Sequence, residues 1–534
     1  MKILLAYITI SNIYTEKKKQ TWEPLGLAYL ASYLRKHNYE VEIFYPALYA
    51  WNKSDIERYF REIKDSYDFM GLSISAFNIS ESQQVIEIIR SSGFDKPIIL
   101  GGLGPTCQWQ KFSKLDVDCV VIGEGEKTLL DIAKAIESNQ DIHSVQGISF
   151  VNKTGELVRN GKVEVFQNLD DNVFPARDVS IKLAETYGFE NVNIQIQTSR
   201  GCYGKCSFCS MNDFIINQEG LRYRSRTAKN VVDEIRILKD KYHFVQFDFM
   251  DESFFPAQKE LALKKAEEFF DEIKKHQLKV RLFLQCQLYI ISKEMLDMLS
   301  DVGVEQIFVG VDGFTDKSLQ LFNKPYTRED VLSFIKIVKS SKYRFSVSSK
   351  FRIKTGVINF TPLSTLSELY DSGQIIKKNQ FSAKKISNKL KVFSDQSKLA
   401  TKILEEYPGF DESNYFKDEK VADVYNNLTK AKVAYLERRD KVRSLEEIIS
   451  NAKHRWDPSV LFISGLRKRY DNQFLRYYFQ IIRKRIKNQV LNPCTDRFIR
   501  RIKKVNPISN SIFMHLKQKY DCEMKHPQFD THTR

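Results

Sequence analysis

Three closely spaced cysteines are the residues of this sequence best suited to chemistry. Cys202, Cys206 and Cys209 lie in the run TSRGCYGKCSFC, separated by three and then by two residues. Thiolates this close together can bind three irons of a four-iron, four-sulfur (4Fe-4S) cluster. No fourth cysteine lies nearby, so one iron would keep an open position at which a small molecule can bind and react. The alternative is a structural zinc site, which normally takes four protein ligands, and only Cys119 and His243 are candidates for the missing one.

The cysteine run follows the first of several predicted strands that alternate with helices. These strands are predicted at residues 192–197, 244–249, 280–284, 306–311 and 354–360. The repeats predict a partial or full β/α barrel, in which chemistry takes place at the carboxyl ends of the strands. Three strands end in polar side chains: Asp251 and Glu252, then Gln285, then Asp312. An acidic pair most often only begins a turn, so position alone gives these groups no role.

The first 165 residues also alternate between strands and helices. Apolar strands are predicted at residues 2–7, 41–45, 68–74, 97–100 and 119–122, and residues 25–37 have helical periodicity. This order predicts a parallel sheet covered on both faces, with its ligand over the carboxyl ends of the strands. Glycines there allow a large, flat ligand to approach the backbone. The residues at these ends are Ser73, Ser75, Gly101, Gly102, Gly123, Glu124 and Gly125.

Length and composition predict a multidomain protein of the cytoplasm. With 534 residues, of which 42% are hydrophobic, we expect two to four packed domains. The N-terminal apolar run is too short for a signal peptide, and no stretch approaches the roughly 18 apolar residues of a membrane span. The other cysteines are scattered and do not form a disulfide framework. A reducing cytoplasm would also keep the three clustered thiolates available.

The positive charge of the chain is concentrated near the C-terminus. Net charge is +16, and residues 465–520 hold 15 Lys or Arg against Asp471 and Asp496. Apolar residues at helical spacing, such as Leu475, Tyr478 and Ile482, are interleaved with these cations. The simplest interpretation is a helical domain with a solvated basic face. Peripheral contact with an anionic membrane, or binding of a phosphorylated, carboxylated or nucleic-acid substrate, is the alternative.

Taken in order, the motifs of residues 1–370 resemble those of the cobalamin-dependent radical S-adenosylmethionine (SAM) enzymes. The matching segments are EPLGLAYLASYL, GLSISAFN, GGLGPT, GEGEKTL, the cysteine run, DESF and GVINFTPLST. The resemblance implies an α/β protein with four parts. These are a doubly wound, flavodoxin-like cobalamin-binding domain (1–165), a linker (166–190), a radical SAM partial barrel (191–395) and a mainly helical, basic C-terminal domain (396–534).

The resemblance also implies a role for each candidate residue. The three cysteines would bind the 4Fe-4S cluster, whose open iron chelates SAM. Glu252 or Asp251 would accept a hydrogen bond from the SAM amino group, and Gln285 would hold SAM or substrate. Asp312 lies at a turn where relatives often carry Glu-Ser. The small residues of the first sheet would hold the nucleotide tail of cobalamin, and no Asp-x-His-x-x-Gly loop offers a histidine to the cobalt.

The implied reaction is radical C-methylation of an unactivated carbon in a secondary metabolite, peptide or lipid. Such a carbon has neither an acidic proton nor a lone pair, so a radical derived from SAM must abstract its hydrogen. Cobalamin then supplies the methyl group, and a second SAM remethylates the reduced cobalamin. An external donor such as flavodoxin or ferredoxin supplies electrons. Oxidative cyclisation or rearrangement with the same cofactors is the main alternative.

Three further alternatives remain open. A tRNA methylthiotransferase would need a second cluster from three N-terminal cysteines, where only Cys107 and Cys119 are present. A radical SAM enzyme whose first sheet has lost cobalamin would share the same core. A non-catalytic metal-binding module would use its basic tail to bind nucleic acid.

Overall fold

The computed structural model separates into two compact units. The first holds Met1–Ile290 with Asp297–Ile307, and the second holds Ile291–Leu296 with Phe308–Arg534. The residues it describes are 1–8, 23–46, 51–74, 79–345, 349–390, 398–411, 413–451, 458–489 and 491–504. The division between the units falls inside the predicted 191–395 core, so the four predicted domain boundaries stay predictions.

A seven-stranded sheet forms the N-terminal part of the first unit. Its strands are β1 (Lys2–Tyr7), β2 (Glu40–Phe44), β3 (Phe69–Ser73), β4 (Ile98–Gly101), β5 (Cys119–Val121), β6 (Ile148–Val151) and β7 (Leu157–Asn160). The strand order is β2-β1-β3-β4-β5-β6-β7. The first five strands are parallel, as predicted, whereas β6 and β7 extend the edge in antiparallel fashion. Its helices are α1 (Leu25–Lys36), α2 (Lys53–Ile63), α3 (Ile79–Ser91), α4 (Leu103–Cys107), α5 (Trp109–Phe112) and α6 (Glu126–Glu137).

Strand β1 shows why this sheet is apolar on both faces. Successive side chains of a strand point to opposite faces. Ile3 and Leu5 accordingly belong to one buried apolar cluster, and Leu4 and Ala6 belong to another. A parallel sheet covered by helices on both sides requires such a continuous apolar run.

Residues 166–190, predicted as a linker, are folded. They contain a short 3₁₀ turn at Leu169–Asp171 and the helix α7 (Asp178–Tyr187), which buries Val179, Leu183 and Ala184. The guanidinium of Arg177 is also buried and bonds to the carboxylates of Glu23 and Glu234. This polar segment packs through one short apolar face and through the two buried ion pairs of Arg177.

The rest of the first unit carries a two-stranded ribbon and the start of a second sheet. The strands are β8 (Ile194–Ile196), β9 (Ser199–Gly201), β10 (Tyr223–Ser225), β11 (Gln246–Phe249) and β12 (Arg281–Cys286). The helices are α8 (Met211–Ile216), α9 (Ala228–Tyr242) and α10 (Lys259–Lys275), together with the C-terminal part of α11 (Lys293–Asp301). Strands β9 and β10 pair with each other in antiparallel fashion, and β8, β11 and β12 lie side by side and parallel. Strand β13 (Val304–Asp312) begins beside β12 and continues into the second unit.

The second unit is mainly helical. Strand β14 (Arg352–Val357) lies beside β13 there. The helices are α12 (Asp316–Leu321), α13 (Arg328–Ser340), α14 (Leu366–Lys378), α15 (Lys398–Glu406), α16 (Glu419–Asn451), α17 (Pro458–Ile486) and α18 (Asn492–Lys504). Aromatic contacts join α16 to α17, since the Tyr435 and Phe474 rings stack with centroids 4.2 Å apart. In the part of the chain that the structure describes, no helix is long and apolar enough to cross a bilayer.

Candidate active site

A cavity of about 410 Å³ in the first unit is lined by seven of the fourteen residues singled out by the sequence, and the three cysteines are not among its lining residues. It lies at the carboxyl ends of β3, β4 and β5. From that edge it is lined by Ser73, Gly101, Gly102, Gly123, Glu124 and Gly125. Residues from β8, β9 and the turn after β11 line it too, namely Gln195, Gln197, Arg200, Gly201, Met250 and Glu252. Ser75 lies outside the described residues.

Two glycines of the cavity wall cannot be replaced without moving their neighbours. Gly102 has φ +108°, and a Cβ there would lie 2.5 Å from the carbonyl oxygen of Ile74. Gly123 has φ +97°, and its Cβ would lie 2.7 Å from Cγ1 of Val163. Side chains rarely adopt such φ values, and glycine also leaves the backbone open to a ligand. The first sheet therefore presents bare backbone to the cavity.

The cysteine loop begins directly after β9. None of its three cysteines takes part in a disulfide bond. A Cβ on Gly204 would lie 3.3 Å from Sγ of Cys202 and 3.7 Å from Sγ of Cys206, so both sulfurs converge on the space that this glycine leaves open. The backbone N–H of Gly204 donates to Sγ of Cys202 at 3.3 Å, and that of Cys209 donates to the carbonyl of Cys206 at 3.1 Å. The loop is thus shaped around its sulfurs.

The described residues do not gather a set of ligands around a single metal ion. Among the described residues, no group of three or more His, Cys, Asp or Glu side chains could hold one metal ion. A zinc site needs its ligands gathered around one centre. In a cluster each cysteine binds a different iron, so the sulfurs stand further apart. The cluster assignment of the three cysteines stays a prediction.

Asp251 is fully engaged in holding the protein together. Its side chain is buried, and its carboxylate accepts bonds from the backbone N–H groups of Thr198 (2.7 Å) and Ser199 (2.8 Å). It also accepts from Oγ1 of Thr198 at 2.6 Å. Burial raises the pKa of Asp251 above its usual value, although these hydrogen bonds and the charge of Lys265 oppose the rise. Asp251 therefore joins the end of β11 to the turn between β8 and β9 and does not line the cavity.

Glu252, the next residue, is placed differently. It lines the cavity, and its buried Oε2 has no hydrogen-bond partner. Burial raises the pKa of Glu252 to about 7; the charge of Asp251 also raises it, while the N–H groups of Glu252 and Gly201 act in the opposite direction. A buried carboxylate with an unused oxygen is an acceptor for a cationic group of a ligand. Of the two acids left open by the sequence, Glu252 has the geometry of a binding group.

Glu124 and two other predicted contacts are arranged differently from expectation. Glu124 lines the cavity, but its carboxylate forms ion pairs with Arg200 and Arg224. Gln285 does not line the cavity, and its carbonyl accepts from the backbone N–H of Phe254 at 2.9 Å. Asp312 lies in the second unit at φ +56°, and its carboxylate pairs with Lys324.

Some residues of the cavity wall were not singled out by the sequence analysis. Gln195 and Gln197 line the cavity from β8 and the residue that follows it. They lie two apart in the run VNIQIQT, which places them on one face of the strand. Polar residues at period two within an apolar strand were the available signal. Met211 and Tyr29 also line the cavity, and no sequence pattern distinguishes them from ordinary core residues.

Comparison with known proteins agrees with this division of the cavity. A family model for the radical SAM superfamily matches residues 196–351, and a model for the B12 binding domain matches residues 11–133. The first contains the cysteine loop and Glu252, and the second contains Gly101, Gly102 and Gly123.

Individual relatives are distant but extend over much of the chain. An uncharacterized methyltransferase of Pyrococcus horikoshii is 24% identical over 342 residues, which cover 64% of this chain and 71% of the relative. The anaerobic magnesium-protoporphyrin IX monomethyl ester cyclase of Rubrivivax gelatinosus is 26% identical over 360 residues, covering 65% of this chain and 61% of the cyclase. The solved structure of the cobalamin-dependent SAM radical enzyme OxsB with aqua-cobalamin and SAM superposes with a TM-score of 0.69. The superposition covers 98% of this chain and 80% of the OxsB chain. Sequence identity is 15%, so the comparison shows a similar fold.

Proposed function

Because the chain is a cobalamin-dependent radical SAM enzyme, we propose that it methylates an unactivated carbon of a small molecule, peptide or lipid. One observation supports this proposal above all. Glycine turns of the B12-binding segment and polar groups of the radical SAM segment line the same cavity of about 410 Å³. Two cofactors that act on one substrate must be held close together, because positioning is the main contribution of the protein to such chemistry.

The cysteine loop is the proposed cluster site. Cys202, Cys206 and Cys209 would each bind one iron, and Gly204 leaves the space that the first two sulfurs face. When bound, the cluster with SAM supplies a hydrogen-abstracting radical, and cobalamin supplies a transferable methyl group. The chain itself contributes the three cysteine thiols, which must lose their protons to bind iron as thiolates.

Glu252 is the proposed partner of the SAM amino group. Its unused carboxylate oxygen would accept a bond from the ammonium, and the opposite charge would favour the ionised carboxylate. Asp251 positions it, because the three bonds from Thr198 and Ser199 fix the end of β11. The charge of Lys265 favours the ionised form of Asp251, and its Nζ donates to the carbonyl of Phe254 at 2.6 Å. Burial lowers the pKa of Lys265 to about 8.

The glycine turns of the first sheet are the proposed cobalamin site. Packing and positive φ values require glycine at 102 and 123, and both glycines line the cavity, where they have no side chain to obstruct a bulky ligand. Leu5, Leu72 and Ile99 line the same cavity and keep it apolar. Apolar walls exclude water, which protects reactive species from side reactions.

The reaction class can be tested without knowing the substrate. The anaerobically reconstituted chain is reduced in the presence of SAM, with and without hydroxocobalamin, and both adenosyl products are measured. Radical cleavage gives 5′-deoxyadenosine, whereas transfer of the SAM methyl group gives S-adenosylhomocysteine. We expect both products with hydroxocobalamin and only 5′-deoxyadenosine without it. Only 5′-deoxyadenosine under both conditions would favour cyclisation or rearrangement over methylation.

The cysteine assignments have a matched control in the same experiment. Cys206→Ser removes one proposed cluster ligand, while Cys286→Ser changes a buried thiol in β12. The first variant should lose both products, and the second should keep them.

The basic C-terminal segment is the proposed contact with an anionic membrane. A groove of about 460 Å³ in the second unit is lined by residues of α14 and α17 and the residues just after α17. Its charged residues are all cations: Lys377, Arg476, Arg483, Lys484 and Lys487. Ile486 is 53% exposed beside them. Cations next to an exposed apolar side chain fit the surface of anionic lipids. Residues 505–520 of the predicted basic segment lie outside the described residues.

Membrane contact is tested by co-sedimentation with vesicles of phosphatidylglycerol or phosphatidylcholine. Binding should require phosphatidylglycerol, fall with salt, and be lost in Arg476→Glu/Lys487→Glu. Lys36→Glu, at an exposed position of helix α1, is the control. Equal binding by the double variant would contradict the assignment. The proposed location is the cytoplasm, where flavodoxin or ferredoxin would supply electrons.

A further inference from the structure

Two buried arginines face each other across the ribbon that leads to the cysteine loop. Arg200 of β9 lies directly opposite Arg224 of β10. Like charges at directly opposite positions of an antiparallel pair are destabilising. Both side chains are buried, so water cannot screen their repulsion. The arrangement therefore requires a carboxylate close to both guanidinium groups.

Glu124 supplies that carboxylate. Its Oε2 lies 2.7 Å from Nη1 of Arg200, and its Oε1 pairs with Nη2 of Arg224. Gln218 holds the same residue at two points: its Nε2 donates to Oε1 of Glu124 at 3.2 Å, and its Oε1 accepts from the Glu124 backbone at 3.3 Å. Burial raises the pKa of Glu124, but the two arginines outweigh it and hold this pKa below its ordinary value.

Arg200 also bonds to the residue on the other side of Gly125. Its Nη2 donates to Oε1 of Glu126 at 2.6 Å, and its Nε donates to Oε1 of Gln197 at 2.7 Å. All three nitrogens of the guanidinium are thus engaged. Its two outer nitrogens span the turn that contains Gly125, which is the bidentate geometry that lysine cannot reproduce.

These bonds join the two halves of the cavity wall. Glu124 and Gly125 line the cavity from the segment that matches the B12 binding domain. Arg200 precedes Cys202 by two residues, in the segment that matches the radical SAM superfamily. Glu124 and Arg200 are 76 positions apart in the chain. A rigid, buried ion-pair network therefore connects the glycine turn to the strand that enters the cysteine loop.

We propose that Arg200, Arg224, Glu124 and Glu126 form a positioning lock that sets the separation between the cobalamin turn and the cluster loop. The inference rests on the proposed placement of the two cofactors. It assigns these residues no contact with reacting atoms. A shift of about 1 Å in such a separation is the scale at which misplacement slows a reaction by roughly 10²-fold.

A second buried network provides a matched control. Glu234 bonds to Arg177 and Arg226 at 2.6 Å each, and all three side chains are buried. Glu234→Gln removes one buried carboxylate charge shared by two arginines, as Glu124→Gln does. Glu234 itself is bonded neither to the 123–125 turn nor to Arg224, the residue opposite Arg200. Loss of stability alone should be similar in the two variants.

The test is the magnetic interaction between Co(II) and the reduced cluster, measured by pulsed electron paramagnetic resonance. Wild type, Glu124→Gln and Glu234→Gln are reconstituted with iron, sulfide and hydroxocobalamin and then reduced. We expect equal iron and corrin contents in all three. Wild type and Glu234→Gln should share one narrow relaxation enhancement, while Glu124→Gln should show a weakened or broadened one. S-adenosylhomocysteine formation should fall roughly 10- to 100-fold in Glu124→Gln alone.

The outcomes separate this lock from the proposed function. A wild-type chain that binds no corrin or no cluster would overturn the lock together with the proposed cofactor placement. Normal binding with unchanged relaxation in Glu124→Gln would overturn the lock and leave the function intact. If Glu124→Gln does not fold, Arg200→Lys is the second variant to test. It keeps the positive charge but loses the planar guanidinium that bonds to both Glu124 and Glu126. It should show the same broadening, and wild-type relaxation in that variant would refute the lock.

Discussion

Replacing Glu252 by glutamine should stabilise the cofactor-free chain, and the gain should grow with pH. The pKa of Glu252 is raised to about 7, so its ionised form is unfavourable in the folded state. A carboxyl group with a raised pKa in the folded chain loses stability as pH rises from its unfolded pKa to its folded pKa. Glutamine keeps the size of the side chain and carries no charge at any pH.

The magnitude follows from the two pKa values, about 7 in the folded chain and 4.5 for the unperturbed group. The ionised carboxylate should cost about 1.4 kcal/mol at pH 5.5 and about 3.4 kcal/mol at pH 8.5. Glu252→Gln should therefore gain about 2 kcal/mol relative to wild type across this range. Asp251 titrates in both chains, so the comparison between them reports chiefly on Glu252.

Urea denaturation of cofactor-free wild type and variant, at a series of pH values, measures the difference. Glu268→Gln is the control, since this α10 carboxylate is 55% exposed and should change stability by less than about 0.5 kcal/mol at every pH. A destabilised Glu252→Gln chain, or a gain independent of pH, would refute the reasoning. In the reconstituted enzyme the sign reverses for SAM: loss of a buried, charge-assisted bond should weaken SAM binding by roughly 10- to 100-fold.

Three further predictions concern the supports of the site. Lys265 has a lowered pKa in the folded chain, so the wild type should become more stable as pH rises from 8 to 10.5. Lys265→Met should remove this rise in the free energy of unfolding, and an unchanged pH profile in the variant would contradict the prediction. Gly102→Ala should weaken hydroxocobalamin binding in a spectroscopic titration far more than Gly101→Ala, because only the first meets a backbone oxygen at 2.5 Å; equal losses would contradict the turn geometry. Cys206→Ser should lose most iron on anaerobic reconstitution, whereas Cys286→Ser should keep about four irons per chain, and equal iron in both would exclude the assigned ligand.

The order of the elements was predictable because each strand is a compact apolar run. Strand β1 occupies Lys2–Tyr7 as predicted, and the other predicted strands are confirmed with ends shifted by at most three residues. Strands β9 and β10 were not predicted, because their sequences SRG and YRS lack the apolar residues that mark the equally short strands β5 and β8. The antiparallel edge of β6 and β7 was also missed, although its position after the parallel strands leaves the carboxyl-end cavity unchanged.

The candidate site was predictable in residue type but not in partner. The cysteine spacing and the glycine turns are local signals, so the sequence was sufficient to single them out. Asp251 and Glu252 are adjacent and chemically alike, and only tertiary contacts show that the first is engaged and the second lines the cavity. The pairing of Glu124 with Arg200 joins residues 76 positions apart, and no local pattern indicates it.

The most direct test of the account is metal and corrin analysis after anaerobic reconstitution with iron, sulfide and hydroxocobalamin. The account predicts about four irons and one corrin per chain after desalting, with SAM cleaved to 5′-deoxyadenosine on reduction. Iron without corrin would remove cobalamin from the account and leave a radical SAM enzyme. Bound zinc with no SAM cleavage would contradict the central claim that the chain holds a 4Fe-4S cluster at Cys202, Cys206 and Cys209.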